Sequence, residues 1–283
     1  ENLGRPAQAA ATYERLGREY PASPLVEEAL FRAAVNHQRL LVFDKALAAY
    51  RALATLPRYA KSPHRRDALY NAALIADRDG DTPLGIQLWR AYEQDAGTSP
   101  DEAGDVAYRV AQLVERQTPG TTAAGSFRAA EEWEHVLRRH PVGAAGQADG
   151  AIDAKRVGRA VEAHFRIGRT RDTQRNPMDA ATSYTTAVKL GARLAPGSEP
   201  AEYAAHSAFL LAERRLGELE RQRITGSGAE LEGAIKRFND QVAAAVAEYE
   251  KILAFRRVTW TLAAYFRMGY VFELYAKALL SAP

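Results

Sequence analysis

Cysteine is absent from the 283 residues, which excludes disulfides, cysteine-ligated zinc and thiol chemistry. The compartment stays open, because an exported protein can do without disulfides. No apolar run approaches the roughly 18 residues of a membrane-spanning helix, so no transmembrane segment is expected. A charge excess is lacking too: the formal net charge is +3, too small to favour a nucleic-acid partner. The paired arginines, Arg65-Arg66, Arg138-Arg139, Arg214-Arg215 and Arg256-Arg257, stand near acids or on expected solvated helix faces. They read as surface charge rather than phosphate sites.

β-branched residues rarely run together, and Gly and Pro cluster between segments rather than inside them. The segments themselves are rich in Ala, Leu, Glu and Arg, which favour helix. With 47% apolar and 26% charged residues, the chain can bury a core. An all-α protein is expected.

Internal repetition decides the fold. A small or apolar residue, an aromatic, two further residues and then Ala or Gly recur. The instances are Leu30-Phe31-Arg32-Ala33-Ala34, Leu69-Tyr70-Asn71-Ala72-Ala73 and Ala107-Tyr108-Arg109-Val110-Ala111. Later come His164-Phe165-Arg166-Ile167-Gly168, Ala208-Phe209-Leu210-Leu211-Ala212 and Tyr265-Phe266-Arg267-Met268-Gly269. Between them lies a second pattern: Ala or Gly, an aromatic four residues on, and usually an apolar residue three further. It appears as Ala9-Tyr13-Leu16, Ala46-Tyr50-Leu53, Gly85-Trp89-Tyr92, Ala129-Trp133-Val136, Ala180-Tyr184-Ala187 and Ala245-Tyr249-Ile252. Phe31 to Tyr50, Tyr70 to Trp89 and Phe165 to Tyr184 are each 19 residues apart.

Spacings of three and four put each set on one helical face. Antiparallel helices approach closely only where a side chain is small, and the ring one turn away then fills the space beside the contact. Pro21, Pro57 and Pro141 end three of the second-pattern segments, since proline cannot continue a helix.

These motifs resemble the tetratricopeptide repeat (TPR) family, with an aromatic and a small residue on helix A and Ala, aromatic and Ala on helix B. Leu69 to Tyr92 is the nearest match, with Gly80 at the interhelical turn. The resemblance covers nearly the whole chain. It implies a right-handed superhelix of antiparallel hairpins over 1–283: a partial unit at 1–21, hairpins at 24–57, 63–97, 101–141, 155–195 and 201–256, and a terminal helix at 258–283. Loops at about 117–125, opened by Thr118-Pro119-Gly120, and at about 143–158 depart from the pattern, as does a long pair around Gly226-Ser227-Gly228. Residues 5–20 look like a helix B without its helix A, and 260–280 like a helix A without its helix B. Two readings of that last helix are open. It is the cut edge of a longer array or is covered by a partner, or it docks back on 229–256 as a cap.

No catalytic constellation emerges. Gly120-Thr-Thr-Ala-Ala-Gly125-Ser126 has the outer spacing of a phosphate loop but lacks its lysine. His64-Arg65-Arg66-Asp67 looks like part of a kinase catalytic loop without the accompanying motifs, and reads as a helix N-terminus. His135 and His140 are five apart, off the face a helical metal pair would share. No metal or other cofactor is expected.

The TPR resemblance implies that helix A positions face a concave groove. It places Phe31, Tyr70, Tyr108 and Phe165 there, each with an acid three residues before: Glu28, Asp67, Asp105 and Glu162. Asp77 and Glu115 follow about two turns on from Tyr70 and Tyr108. One reading is a groove for an extended or helical peptide, with rings for contact area and acids favouring Lys or Arg on the ligand. The other is that the rings cement neighbouring helices and the acids cap helix starts. The acids speak against the Lys- and Asn-lined clamp with which some TPR domains hold chaperone tails. The function expected is therefore a protein-binding scaffold or adaptor, with no enzyme activity. The alternative is a regulatory TPR module of a longer, enzymatic protein. Arg outnumbers Lys 31 to 7, which suggests a GC-rich bacterial genome and, by analogy, an envelope, secretion or motility assembly. A periplasmic or envelope location is expected over a cytoplasmic one.

Overall fold

The computed structural model describes residues 4–95, 97–117, 123–143 and 150–283. It divides into two compact units, Glu1–Pro119 and Gly120–Pro283. Twelve α-helices, one short 3-10 turn and no strand occur among the described residues.

In the first unit, α1 (Pro6–Glu19) precedes the hairpin α2 (Val26–Arg39) and α3 (Phe43–Thr55). A 3-10 turn at Pro57–Tyr59 leads to the hairpin α4 (Arg65–Arg78) and α5 (Thr82–Glu93), then to α6 (Pro100–Gln117). Each helix packs on its sequence neighbours. The second unit holds α7 (Ala123–Arg139), the hairpin α8 (Gly150–Thr173) and α9 (Pro177–Gly191), the hairpin α10 (Ala201–Glu220) and α11 (Gly228–Leu253), and α12 (Val258–Leu280). Here the first helices of successive hairpins also touch, α8 on α10 and α10 on α12.

The small residues lie where the spacing predicts. Ala34, Ala73, Gly168 and Ala212 on first helices are buried, as are Ala46, Gly85, Ala180 and Ala245 on second helices. A Cβ added to Gly85 would meet the Asp77 backbone at 3.6 Å, so the α4 and α5 backbones touch there. The second-helix rings Tyr50, Trp89, Tyr184 and Tyr249 form the heart of each unit, and their burial is nearly complete. Three of them also place a polar group. Tyr50 donates its hydroxyl to Gln38 at 2.9 Å, Tyr184 to Asp172 at 2.7 Å and Tyr249 to Glu213 at 2.5 Å. Burial pushes the Tyr50 hydroxyl up to about 12, and it raises those of Tyr184 and Tyr249 as well, helped by their carboxylate partners.

Local signals set the helix starts. Asp81 caps α5 by accepting from the Leu84 amide at 3.2 Å, and Asn176 caps α9 through the Asp179 amide at 3.3 Å. Proline follows each cap within two residues, at Pro83 and Pro177. The interhelical turns need a left-handed residue. Gly80 supplies it between α4 and α5, but Leu41 and Arg175 take the same conformation at φ 59° and 58° without a glycine's freedom.

Two boundaries differ from expectation. The loop expected over 143–158 is shorter, because α8 begins at Gly150: Ala151, Ala154 and Lys155 after it favour helix. The loop expected to reach residue 125 ends by Ala123, where α7 opens. Thr118-Pro119-Gly120 lies outside the described residues, and so do positions 120–122 of the phosphate-loop look-alike. The terminal helix docks on α11 and α10 through one side, where Ala264 and Val271 are fully buried. Its other side is bare.

Candidate functional site

Seven of the ten expected groove residues fall into three settings. At the first hairpin, Phe31 is half-buried. Its ring stacks on His64 with centroids 4.6 Å apart and meets Tyr50 edge-on at 5.9 Å. Glu28 accepts from Arg32 at 2.5 Å, and His64 Nε2 lies 2.6 Å from its other oxygen. Those bonds, Arg32 foremost, hold the Glu28 carboxyl below the usual range. His64 is the N-cap position of α4, the helix-start role read from its sequence. This cluster joins α2, α3 and α4.

Glu162 and Phe165 in the second unit are buried. Phe165 packs against Tyr203 at 5.5 Å and His206 at 4.7 Å, and Glu162 accepts from Arg166 at 3.2 Å. Both contribute to packing between α8 and α10 rather than to an open surface.

At the third setting the structure gathers Asp67, Tyr70 and Asp105 around one cavity of about 390 Å³ within the first unit. Trp89, Tyr92, Glu102, Val106 and Arg109 complete its lining. Tyr70 is 43% exposed, with its ring 5.4 Å from Trp89 and 5.5 Å from Tyr92. The two buried rings hold the exposed one upright, so a ligand would meet a preformed aromatic wall. The volume falls in the lower part of the range of about 300–1,000 Å³ usual for ligand pockets, enough for one or two side chains.

Charge around the cavity is distributed unevenly. Arg66 is held by Glu102 and donates to the Tyr92 hydroxyl at 2.7 Å. Glu102 also accepts from the Ser99 amide at 2.9 Å and from the Ser99 hydroxyl at 2.8 Å. These bonds, the Ser99 amide first and Arg66 after it, take its carboxyl down to about 2. Arg109 is held by Asp77. Both cations near the cavity are thus matched by carboxylates, and the exposed carboxylate at the rim is Asp67.

Asp77 itself is not on the cavity. Its carboxylate is 4% exposed and ties α4 to α6 through Arg109 and, at 3.2 Å, Arg116. Tyr108 and Glu115 are half-buried on α6. From the sequence, Glu102 draws no notice and Arg66 reads only as surface charge at a helix start. The available signal for Glu102 was Ser99-Pro100-Asp101-Glu102, a serine followed three residues later by glutamate at a helix start, which closes reciprocally here. Arg66 carried no such signal, because its partners are 26 and 36 residues away.

Among the described residues no cluster of three or more His, Asp or Glu is placed to hold a metal ion, and no helix is long and apolar enough to cross a membrane.

Residues 1–23 match the tetratricopeptide repeat family model. No curated protein sequence matches the chain. Among solved structures the chain is similar to MamA, at 12% identity and a TM-score of 0.38, over 67% of this chain and 90% of that one. It is also similar to a tetratricopeptide repeat protein from Parabacteroides merdae ATCC 43184, at 15% identity and a TM-score of 0.39, over 98% of this chain and 94% of that one.

Proposed function

We propose that this chain, a tetratricopeptide repeat protein, is a binding scaffold that takes a basic side chain of a protein partner into the cavity around Tyr70. The observation that carries the reading is the half-exposed Tyr70 ring, braced by Trp89 and Tyr92 beside the exposed carboxylate of Asp67. A lysine or arginine laid on such a ring gains about 0.5–2 kcal/mol from the ring face, and the carboxylate adds attraction that also speeds encounter. An extended or helical segment suits the site, because neither shape needs more than one or two anchors to enter. The role is binding rather than catalysis.

We extend the same reading to a bacterial multiprotein assembly at the envelope, in secretion or in motility. It rests on composition, the 31 arginines against 7 lysines. Cell fractionation with the native protein tests that part separately.

Labelled amphipathic peptides bearing Lys or Arg, with Glu-substituted controls, test the site by fluorescence anisotropy. Basic peptides are expected to bind and the controls not. Tyr70→Ala should weaken binding about tenfold, the size typical of losing a central aromatic anchor. Asp67→Asn should lower the on-rate and the salt dependence. Unchanged binding in a folded Tyr70→Ala protein would sink the proposal.

A further inference from the structure

In four places among the described residues, the protein lays an arginine guanidinium over a tyrosine ring and pairs it with a carboxylate. Arg66 lies over Tyr92 at 5.1 Å and pairs with Glu102. Arg166 lies over Tyr203 at 5.4 Å and pairs with Glu162 at 3.2 Å. Arg214 lies over Tyr184 at 5.5 Å and pairs with Asp172. Arg267 lies over Tyr270 at 5.7 Å and pairs with Glu213. The four arginine side chains are 29–32% exposed, so the arrangement holds in contact with water. Its chemistry is specific to a guanidinium. The group is planar and weakly hydrated, so its face rests on the ring while its edge donates to the carboxylate. A lysine ammonium is a compact, strongly hydrated charge with no flat face to lay down.

The cavity around Tyr70 has the ring and the carboxylate of this arrangement and lacks the guanidinium. Tyr70 and Asp67 stand three residues apart on α4, on one helix face, and both line the cavity. The ring is 43% exposed, and among the described residues no arginine lies over it. Neither the Tyr70 hydroxyl nor the Asp67 carboxylate makes a hydrogen bond or ion pair there. The cations nearby are already engaged. Arg109, on the lining, is bound to Asp77 through Nε at 2.6 Å and through a terminal nitrogen as well. Arg66 is taken by Glu102 and the Tyr92 hydroxyl.

We infer that the basic side chain this cavity takes is arginine rather than lysine: the partner's guanidinium lies on the Tyr70 ring with its edge on Asp67. It is the internal arrangement made once more, with the arginine supplied from outside. The inference rests on the reading of the Tyr70 cavity as the binding site, and adds a choice between two side chains of equal charge. Long-range attraction by the carboxylates cannot make that choice, because it acts on both alike. Contact makes it. Arginine gains the ring face and the carboxylate together, whereas lysine must shed more hydration for fewer directed bonds.

Three labelled peptides, identical but for arginine, lysine or citrulline at one central position, test this on the full chain by fluorescence anisotropy. Citrulline keeps the flat group and loses its charge. The arginine peptide is expected to bind about tenfold more tightly than the lysine peptide, the worth of one further charge-assisted bond. The citrulline peptide should bind more weakly than the arginine peptide by at least as much. Asp67→Asn should bring the arginine peptide down to the level of the lysine peptide and leave the lysine peptide little changed. Tyr70→Ala should weaken both. Lysine binding as tightly as arginine, with both lost in Tyr70→Ala, would overturn this inference and leave the site reading standing. An arginine preference that persists in Asp67→Asn, or citrulline binding as well as arginine, would also overturn it. Binding of all three peptides that ignores Tyr70→Ala, or no binding at all, would remove the site reading and this inference together.

Discussion

The Tyr184 ring lies directly on Gly168, so that a Cβ added to the glycine would stand 2.5 Å from the ring's Cε1 and 2.7 Å from Cδ1. Tyr184 cannot retreat: its hydroxyl is bonded to Asp172 at 2.7 Å, and the Arg214 guanidinium, itself paired with Asp172, covers the ring at 5.5 Å. Gly168→Ala is therefore expected to destabilise the second unit by about 1–3 kcal/mol, the usual cost of forcing a methyl into a packed core. The same change at Gly269, where the Cβ meets open space, should be neutral or gain about 0.5–1 kcal/mol from helix propensity. Urea melts of the two variants give the comparison. Equal effects at the two sites would contradict the close-approach account.

Asp77 is a strut between helices. Removing its carboxylate by Asp77→Ala breaks charge-assisted bonds to Arg109 and Arg116 at a nearly buried site. A loss of about 1–3 kcal/mol in the first unit is expected. Arg116→Ala should cost less, at most about 1 kcal/mol, because that side chain is largely in solvent. Thermal unfolding of each variant measures the ranking, and a larger effect for Arg116→Ala would refute it.

Arg175 holds a left-handed turn at φ 58° between α8 and α9, where its Cβ crowds the carbonyl. Arg175→Gly is expected to stabilise the hairpin by about 0.5–1 kcal/mol, since relief of that crowding, about 1–2 kcal/mol, exceeds the entropy a glycine loses. A melt unchanged or lowered by the substitution would show the turn to be unstrained.

His206 is wedged between Trp260, 4.0 Å away and stacked, and Phe165 at 4.7 Å. Burial, with Arg169 and Arg166 nearby and only partly offset by Glu202, brings its imidazole down to about 4 from an ordinary 6.5. The folded form therefore binds fewer protons than the unfolded chain between these values. Stability is full above about pH 6.5 and falls as the pH drops towards 4. His206→Phe should flatten this part of the pH profile of urea unfolding. An identical slope in wild type and variant would rule out His206 as its source.

Much of this architecture was legible in the chain, for reasons specific to certain positions. Small residues and rings at spacings of three, four and seven admit one helical face, so Ala34, Gly168, Tyr50 and Tyr184 could be placed before any coordinates. The candidate site was legible only in part. Tyr70, Asp67 and Asp105 converge on the cavity, yet Asp77, of the same chemical type and on the same helix as Asp67, turns inward to two arginines. Glu162, three residues before a ring like Asp67, is buried. Spacing places a carboxylate on a helix face, but the arginine that meets it comes from 32 or 39 residues away.

Periodicity alone determined that the chain folds as helical hairpins, because close helix contact tolerates only small side chains at fixed intervals. Tertiary structure decided which of the repeated rings are core, which is half-open at a cavity and which stands bare on α12. The reason is that exposure depends on whether a neighbouring helix lies across the ring, and that neighbour is set by long-range packing that no local pattern encodes.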